Sequence, residues 1–537
     1  MIEPLKVIEA YGDVRLTLPD MLKARVDRHA DKILLRFGTR EWSYAEFDRQ
    51  TDALAAAFAA RGVARGDRVA VVGRNHPAHM LTLFALAKLG GLMVPINPEF
   101  GVSELAYILG HAQVTGVILP DTLEARVGSA CKEAGIEPFF LFTGSSEPGL
   151  SFEEALENHE DYTPPGPVSS QDPCLIIYTS GTTGRPKGVV HSHENFLRCG
   201  QINIARLRLQ PDDVVMIVLP FFHVNALFYS AAGAFCAGAT IFAVERFSAS
   251  SFWRQAADAG ATTVNIIEAI GNILLARDRS EFRPDNVIRA IYGVRPRYES
   301  AFREAFNIPQ IVSGYGLTEI PGVTCGSLDA PNKEHSMGRV LEHPDPEMEW
   351  ARCRIIDDEG RDVAEGQEGE LLIKSPAMML HYFRDPEATR KAVTDGWFAT
   401  GDIVRRDADG EYFFVSRKKD IIRRRGENIS GAELDIVIGA HPDVLEAAAI
   451  AVPSELGEDD ILVVVVPHEG KQLSATDIAQ WCADRLAPMK IPRFVAFATK
   501  LPHTATHKIA KAVLRADPDL RARAQEIDIT TLKRASA

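Results

Sequence analysis

An alternation in the first half of the chain constrains its fold most tightly. DRVAVVGRN (67–75) reads as a strand and a turn, and PAHMLTLFALAKLGG (77–91) as a buried helix closed by glycines. LMVPINP (92–98) reads as the next strand and VTGVILP (114–120) as another. Short apolar strands separated by longer helical patterns predict an α/β fold with substantially parallel sheets. No internal repeat or low-complexity block interrupts this rhythm.

The character changes after about residue 420. GAELDIVIGAH (431–441) suggests a helix, VLEAAAIAV (444–452) and DILVVVVPH (460–468) strands, and ATDIAQWCADRLA (475–487) a helix. These shorter segments make a separate α+β unit of about a hundred residues, a normal domain size. The expected division is a large N-terminal domain over 1–418 and a small C-terminal domain over 419–537. The basic segment Arg417–Arg425 lies at the join, either as a solvated linker or as a hinge that moves.

With 537 residues, the chain has the length of about three to four domains. Its formal net charge of −14 lacks the basic footprint of a nucleic-acid binder, so no nucleic-acid partner is expected. Seven scattered cysteines, none in CxxC spacing, suggest neither a zinc site nor a disulfide framework, and fit a reduced, cytoplasmic setting. The N-terminus, MIEPLKVIEAYGDVRL, has no apolar core of a signal peptide. Residues 226–244, ALFYSAAGAFCAGATIFAV, carry no charge and approach the length of a membrane span. Gly233, Gly238, Ser230 and Thr240 favour instead a buried helix over 226–237, stopped at Gly238 and followed by a strand over 240–244.

YTSGTTGRPKG (178–188) has the composition of a phosphate loop. It is not a Walker loop: Pro186 stands at the second glycine position and Gly188 where a Ser or Thr would hold magnesium. The β-branched VVHSH that follows predicts a strand rather than a helix. The chemistry still suits phosphate, since glycines let backbone N–H groups approach an anion and hydroxyls add donors. Thr179, Ser180, Thr182 and Thr183 supply hydroxyls, and Lys187 supplies charge. Taken alone, the stretch reads equally as a surface hairpin.

Other segments bear on that choice: SYAEFDRQTDALAAAF (43–58), LAKLGGLMVPINP (86–98), LPFFHVNA (219–226), GYGLTE (314–319), GELLIKSPAMMLHYF (369–383), GWFATGD (396–402), VSRKKDIIRRRGENIS (415–430) and LPHTATHKI (501–509). In this order, over nearly the whole chain, they resemble the adenylate-forming superfamily of acyl-CoA synthetases, peptide-synthetase adenylation domains and luciferase. VERFSASSFW (244–253) and the run from Gly426 onward look most like its carnitine/crotonobetaine–CoA ligase branch. The resemblance implies an ATP- and Mg²⁺-dependent reaction in two halves. A small carboxylic acid attacks the α-phosphate of ATP, giving acyl-AMP and pyrophosphate. The thiol of coenzyme A then displaces AMP.

The resemblance also implies residue roles. Thr179, Ser180, Gly181, Thr182, Thr183, Gly184 and Lys187 would hold the β- and γ-phosphates. Thr318 would bond the α-phosphate, and Glu319 would bind Mg²⁺. Tyr315 would stack near the adenine, with Gly293, Val294, Arg295 and Pro296 along its other face. Asp402 would accept the ribose hydroxyls, with Arg417 beside it. Lys508 would bridge the attacking carboxylate and the α-phosphate, although His507 replaces the glycine usual before this lysine. Lys419 would be the hinge about which the small domain rotates between the two halves. The loop Arg423–Ser430 would then enter, with Gly426 lining the pantetheine channel. Apart from the resemblance, the chemistry of Arg423, Arg424 and Arg425 would suit the coenzyme A phosphates, because guanidinium forks match them.

His223 would face the carboxylate of the acid or gate its tunnel, and Asn225, Tyr229, Asn265, Ile266, Glu268, Val294, Ile320 and Val323 would form the pocket. This mixture of polar and bulky groups favours a short or medium acid, with polar character allowed. On the branch resemblance, Glu268 would offset a quaternary ammonium and Tyr229 would add a cation–π contact. Arg295 departs from the small-residue pattern of the family, and either selects a second carboxylate or turns into a surface ion pair. A second enzymatic reading passes the acyl group to an amine or a carrier protein. A non-catalytic nucleotide binder is disfavoured by the presence of Lys187, Glu319, Asp402 and Lys508 together. The family also allows a homodimer through the large domain.

Overall fold

Side chains along the Arg68–Val72 strand alternate between two cores. Val69 and Val71 join one that also holds the helices Tyr44–Ala60, Pro77–Leu89 and His193–Leu207. Ala70 and Val72 join another, with the helices Val102–Ala112 and Glu124–Ala134. Period-two side chains covered on both faces explain why this strand is apolar from Val69 to Val72. The computed structural model describes residues 1–11, 13–145, 147–157, 166–179, 185–424, 427–454, 459–503 and 509–528. They fall into two compact units. One holds Met1–Thr179, Pro186–Cys353 and Ile373–Phe398, and the other Arg354–Leu372 and Ala399–Ala537.

The first unit contains two seven-stranded sheets. One has the spatial order His381–Tyr382, Lys187–Ser192, Pro173–Thr179, Leu92–Ile96, Arg68–Val72, Gly116–Pro120, Phe139–Thr143. Its last five strands are parallel, and the first two are antiparallel additions. The other sheet is ordered Gln310–Val312, Ala290–Tyr292, Thr263–Asn265, Val214–Ile217, Thr240–Ala243, Ile33–Phe37, Arg40–Ser43, and only its final pair is antiparallel. The expected α/β architecture is present, with each predicted strand of the first half in place. Pro77–Leu89 is buried almost all round because it has no polar face, and Gly90 closes it in the left-handed conformation at φ 69°.

The uncharged stretch is a π-helix over Asn225–Ala231 continuing into an α-helix over Ala232–Ala237. Gly238 caps it at φ 70°, and the strand Thr240–Ala243 follows. The predicted helix and strand are therefore real; the π turn is an addition that apolar composition does not signal. No helix among the described residues is long and apolar enough to cross a membrane.

A cavity of about 180 Å³ opens at the C-terminal ends of Arg68–Val72 and Gly116–Pro120, with Arg74, His76, His79 and Glu245 in its wall. None of the candidate site residues lines it.

The second unit carries the order Val444–Pro453, Asp459–Pro467, Phe494–Phe497, Gln525–Glu526 in a mixed sheet. The helices Gly431–Gly439 and Ala475–Ala483 cover one face through Leu434, Ile438, Ile478 and Cys482. A hairpin, Ile421–Arg424 with Glu427–Ser430, precedes them.

Three histidines of the first unit, His79, His191 and His193, are 0% exposed. Burial lowers them from 6.5, His79 to about 3 and the other two to about 4. They stay neutral in the fold while the unfolded chain binds protons below pH 6.5. Stability is therefore complete above that pH and is lost as pH falls toward about 4. Between pH 6.5 and 5, above the range of ordinary carboxylates, the unfolding free energy from urea titrations should fall with a slope of up to about 1.4 kcal/mol per pH unit per histidine. A flat profile over that window would show that these rings are not held neutral.

Candidate active site

The β-branched runs CLIIY and VVHSH pair as an antiparallel hairpin, with Thr179 opposite Lys187 and Tyr178 opposite Gly188. A strand thus follows the glycine loop, as its flank predicts. Gly188 is required by close approach: a Cβ there would lie 2.9 Å from Ile176 Cγ2 and 3.2 Å from Tyr178 Cζ. The pairing pins both ends of the loop together and sets Lys187 at its mouth. Lys187 Nζ lies 4.8 Å from the centroid of the Tyr382 ring. Ser180, Gly181, Thr182, Thr183 and Gly184 lie outside the described residues.

Thr318 and Glu319 are held from two sides. Asn195 Nδ2 lies 3.2 Å from His191 Nδ1 and 2.8 Å from the Met378 carbonyl, donating to both. That leaves the His191 proton on Nε2, which donates to the Thr318 carbonyl at 2.8 Å. Neutrality of this buried ring keeps the arrangement single-valued. The Met379 N–H donates to the Glu319 carbonyl at 2.7 Å. The Tyr382 hydroxyl donates to Glu319 Oε1 at 2.6 Å. Burial, then the adjacent Glu319 charge, raises the Tyr382 pKa, so the phenol remains a donor. Lys187, Glu319 and Tyr382 thus form one cluster. Sequence reasoning assigned no role to His191, Asn195 or Tyr382, although two of them fall in the quoted stretches VVHSH and GELLIKSPAMMLHYF.

Glu319 Oε2 has no hydrogen-bond partner among the described residues. No group of three or more His, Cys, Asp or Glu side chains there could cage a metal. One open carboxylate oxygen fits Mg²⁺, which is typically bound by one or two carboxylates together with substrate phosphates.

Gly293 has φ 101°, and a Cβ on it would lie 1.9 Å from the Ile266 carbonyl oxygen, so only glycine fits between the two strand ends. Val294 is buried, and Pro296 opens a 3₁₀ turn to Tyr298. Tyr315 is half-buried, its N–H donating to Thr324 Oγ1 at 3.1 Å. His223 sits in the turn before the π-helix, its carbonyl accepting from the Leu227 N–H at 3.3 Å. Asn225 Oδ1 and Asn265 Oδ1 have no hydrogen-bond partner among the described residues, while Asn265 Nδ2 donates to Ser230 Oγ at 2.9 Å. Ile266, Ile320 and Val323 are buried.

Two expectations for the acid pocket need correction. The Tyr229 ring already carries a cation on one face, with the Arg206 guanidinium 4.9 Å from its centroid. Glu268 is not an unpaired acid: it binds Arg297 and, at 3.3 Å, Arg295. Arg295 therefore takes the ion-pair option, with its side chain half exposed.

In the second unit, Asp402 and Arg417 are directly opposite on adjacent strands. Asp402 is fully buried, and Arg417 Nε lies 2.7 Å from its Oδ1. Lys419 stands in the 3₁₀ turn Lys418–Asp420, and burial lowers its pKa. Arg424 cannot serve coenzyme A as expected: it is buried, donates to the Met489 and Ile491 carbonyls and pairs with Asp460. Arg423 is exposed. Arg425, Gly426, His507 and Lys508 lie outside the described residues.

The model of the AMP-binding enzyme family matches residues 22–383, and that of the AMP-binding enzyme C-terminal domain matches 433–508. An indoleacetate–CoA ligase of Aromatoleum aromaticum is 33% identical, the match covering 91% of this chain and 96% of the relative. A crotonobetaine/carnitine–CoA ligase of Salmonella paratyphi A is 31% identical with the same coverage. A Mycobacterium tuberculosis fatty acyl CoA synthetase structure aligns with TM-score 0.73 and 28% identity, covering 94% of this chain and 98% of that one. ATP-bound MatB from Rhodopseudomonas palustris, 24% identical, shares the fold with TM-score 0.82 over 94% and 98% of the two chains.

Proposed function

The chain belongs to the AMP-binding enzyme family, and from that premise we propose that it is an ATP-dependent acid–CoA ligase acting on a short or medium carboxylic acid. The anchored Lys187–Glu319–Tyr382 cluster at the mouth of the glycine loop carries this reading, since it joins a phosphate-neutralising cation to a metal-binding carboxylate. Bound Mg²⁺ would supply positive charge to the phosphate oxygens. Lys187 balances the triphosphate charge. Tyr382 holds one Glu319 oxygen and thereby directs the other. The His191 network fixes the Thr318 backbone, so that its hydroxyl is presented to the α-phosphate without reorganisation. A carboxylate oxygen of the acid bonds to the α-phosphorus as the bond to pyrophosphate breaks. The thiolate of coenzyme A then bonds to the acyl carbon, and AMP leaves.

Lys508 is the proposed bridge between the attacking carboxylate and the α-phosphate. His223, Asn225 and Asn265 are the proposed polar contacts of the acid, and Tyr315 with the 293–296 segment is the adenine wall. Asp402 and Arg417 take the ribose, and rotation of 419–537 about Lys419 brings Gly426 to the pantetheine. Arg423 remains the exposed candidate for coenzyme A phosphates. Six of the seven cysteines are buried thiols, which supports a cytoplasmic enzyme working where ATP and coenzyme A are made. A homodimer is compatible with this reading.

Pyrophosphate release from ATP and Mg²⁺ with short fatty, aromatic, dicarboxylic and trimethylammonium acids, each with and without coenzyme A, tests it. Sustained, coenzyme A-dependent turnover with one class is expected. A single burst that coenzyme A cannot sustain would transfer the second half-reaction to an amine or a carrier protein.

A further inference from the structure

Arg206 ends the helix His193–Leu207 and is 1% exposed, yet no carboxylate pairs with it among the described residues. A guanidinium does not deprotonate in a protein, so this is a buried charge. Its Cζ lies 4.9 Å from the Tyr229 ring centroid and 4.6 Å from that of Tyr292, and these rings meet edge to face at 5.7 Å. Its hydrogen bonds to oxygen are long, at 3.5 Å to Asn203 Oδ1 and 3.4 Å to the Thr324 carbonyl, and Nε has no partner among the described residues. Two aromatic quadrupoles, two weak oxygen acceptors and the Cys325 sulfur therefore hold a full positive charge. Glu268 faces a similar excess, with Arg295 and Arg297 both paired to its one carboxylate.

A pocket for a quaternary ammonium offers vacant aromatic faces and an unpaired acid. Here Arg206 already stands over one face of the Tyr229 ring, and Arg295 and Arg297 already pair with Glu268. A ligand cation would meet the like charge of Arg206 in a poorly screened interior, and that of the partly exposed Arg295 and Arg297 beside Glu268, whereas a neutral or anionic group would not be repelled. We propose that Arg206, Arg295 and Arg297 make the acid pocket a charge filter, so that the acid activated carries no cationic group and is neutral or anionic at its distal end. The filter rests on the ligase reading and on the place of Tyr229 and Glu268 in the acid wall.

The test uses a matched pair, 4-(trimethylammonio)butanoate and its carbon isostere 5,5-dimethylhexanoate. Each is measured as a substrate for pyrophosphate release and as a competitive inhibitor of the best acid of the panel. The neutral acid should be favoured at least about tenfold in kcat/KM or in inhibition constant. Arg206→Met should move that ratio toward the cation by at least about tenfold. Should circular dichroism show that this variant does not fold, the double variant Arg295→Gln/Arg297→Gln leaves Glu268 unpaired and should move the ratio the same way. A wild-type preference for the cation, or a ratio unchanged in the folded variants, overturns the filter. No release with any acid overturns the ligase reading first, and the filter with it.

Discussion

Glu319→Gln should lower kcat/KM for acid-dependent pyrophosphate release by about 10²–10³-fold, the range seen when one preorganised electrostatic group is removed. The substitution keeps the shape of the side chain and leaves a carbonyl oxygen to accept from Tyr382, whose hydroxyl now lies 2.6 Å from Oε1. What it removes is the charge on the open oxygen. The loss should therefore appear as a raised Mg²⁺ requirement, with saturating metal restoring only part of the rate. Tyr382→Phe is the comparison. It leaves the charge and removes the orientation, and a neutral-to-charged hydrogen bond of about 1.5–3 kcal/mol corresponds to roughly a 10–100-fold loss at most. A Mg²⁺ titration of both variants separates charge from aim. Glu319→Gln within threefold of wild type at limiting metal, about 0.7 kcal/mol, would remove Glu319 from the metal site.

What was legible in the sequence followed from local chemistry. Val69 and Val71 alternate with Ala70 and Val72, and β-branching after Lys187 marks a strand. Gly90 and Gly238 each end a helix in a conformation that their lack of a Cβ allows. The site was legible only as a set of matched motifs, because its geometry depends on partners far apart in the chain. Tyr382 reaches Glu319 across 63 positions, and His191 reaches Thr318 across 127. Arg206 was invisible as a charge on the acid pocket. A lone arginine near a helix end normally reads as a solvated cation, and only the packing of Tyr229 and Tyr292 around it shows otherwise. Arg424 failed the same way, since a run of three arginines looks solvated although its middle member is buried against Asp460. Charge placement was thus the poorest inference from sequence, because burial is a property of the fold rather than of the residue.

Asp402 is where that lesson has the largest measurable consequence outside the Glu319 cluster. Its carboxylate is fully buried, while the Arg417 side chain beside it is 35% exposed. Removing the acid leaves an arginine that can still reach water, so Asp402→Asn should cost about 1–3 kcal/mol of stability, less than breaking a pair buried on both sides. Its larger effect should fall on the nucleotide. Two charge-assisted bonds to vicinal ribose hydroxyls correspond to an increase in the KM for ATP of about 10²-fold or more when the charge is lost. Stability loss alone would not touch the ribose, so the decisive comparison uses 2′-deoxy-ATP. Wild type should discriminate against it, whereas Asp402→Asn should treat ATP and 2′-deoxy-ATP nearly alike, giving a coupling of the kind expected between groups in contact. Equal discrimination by the two proteins would place the ribose elsewhere and leave the Asp402–Arg417 pair as a strand-to-strand tie.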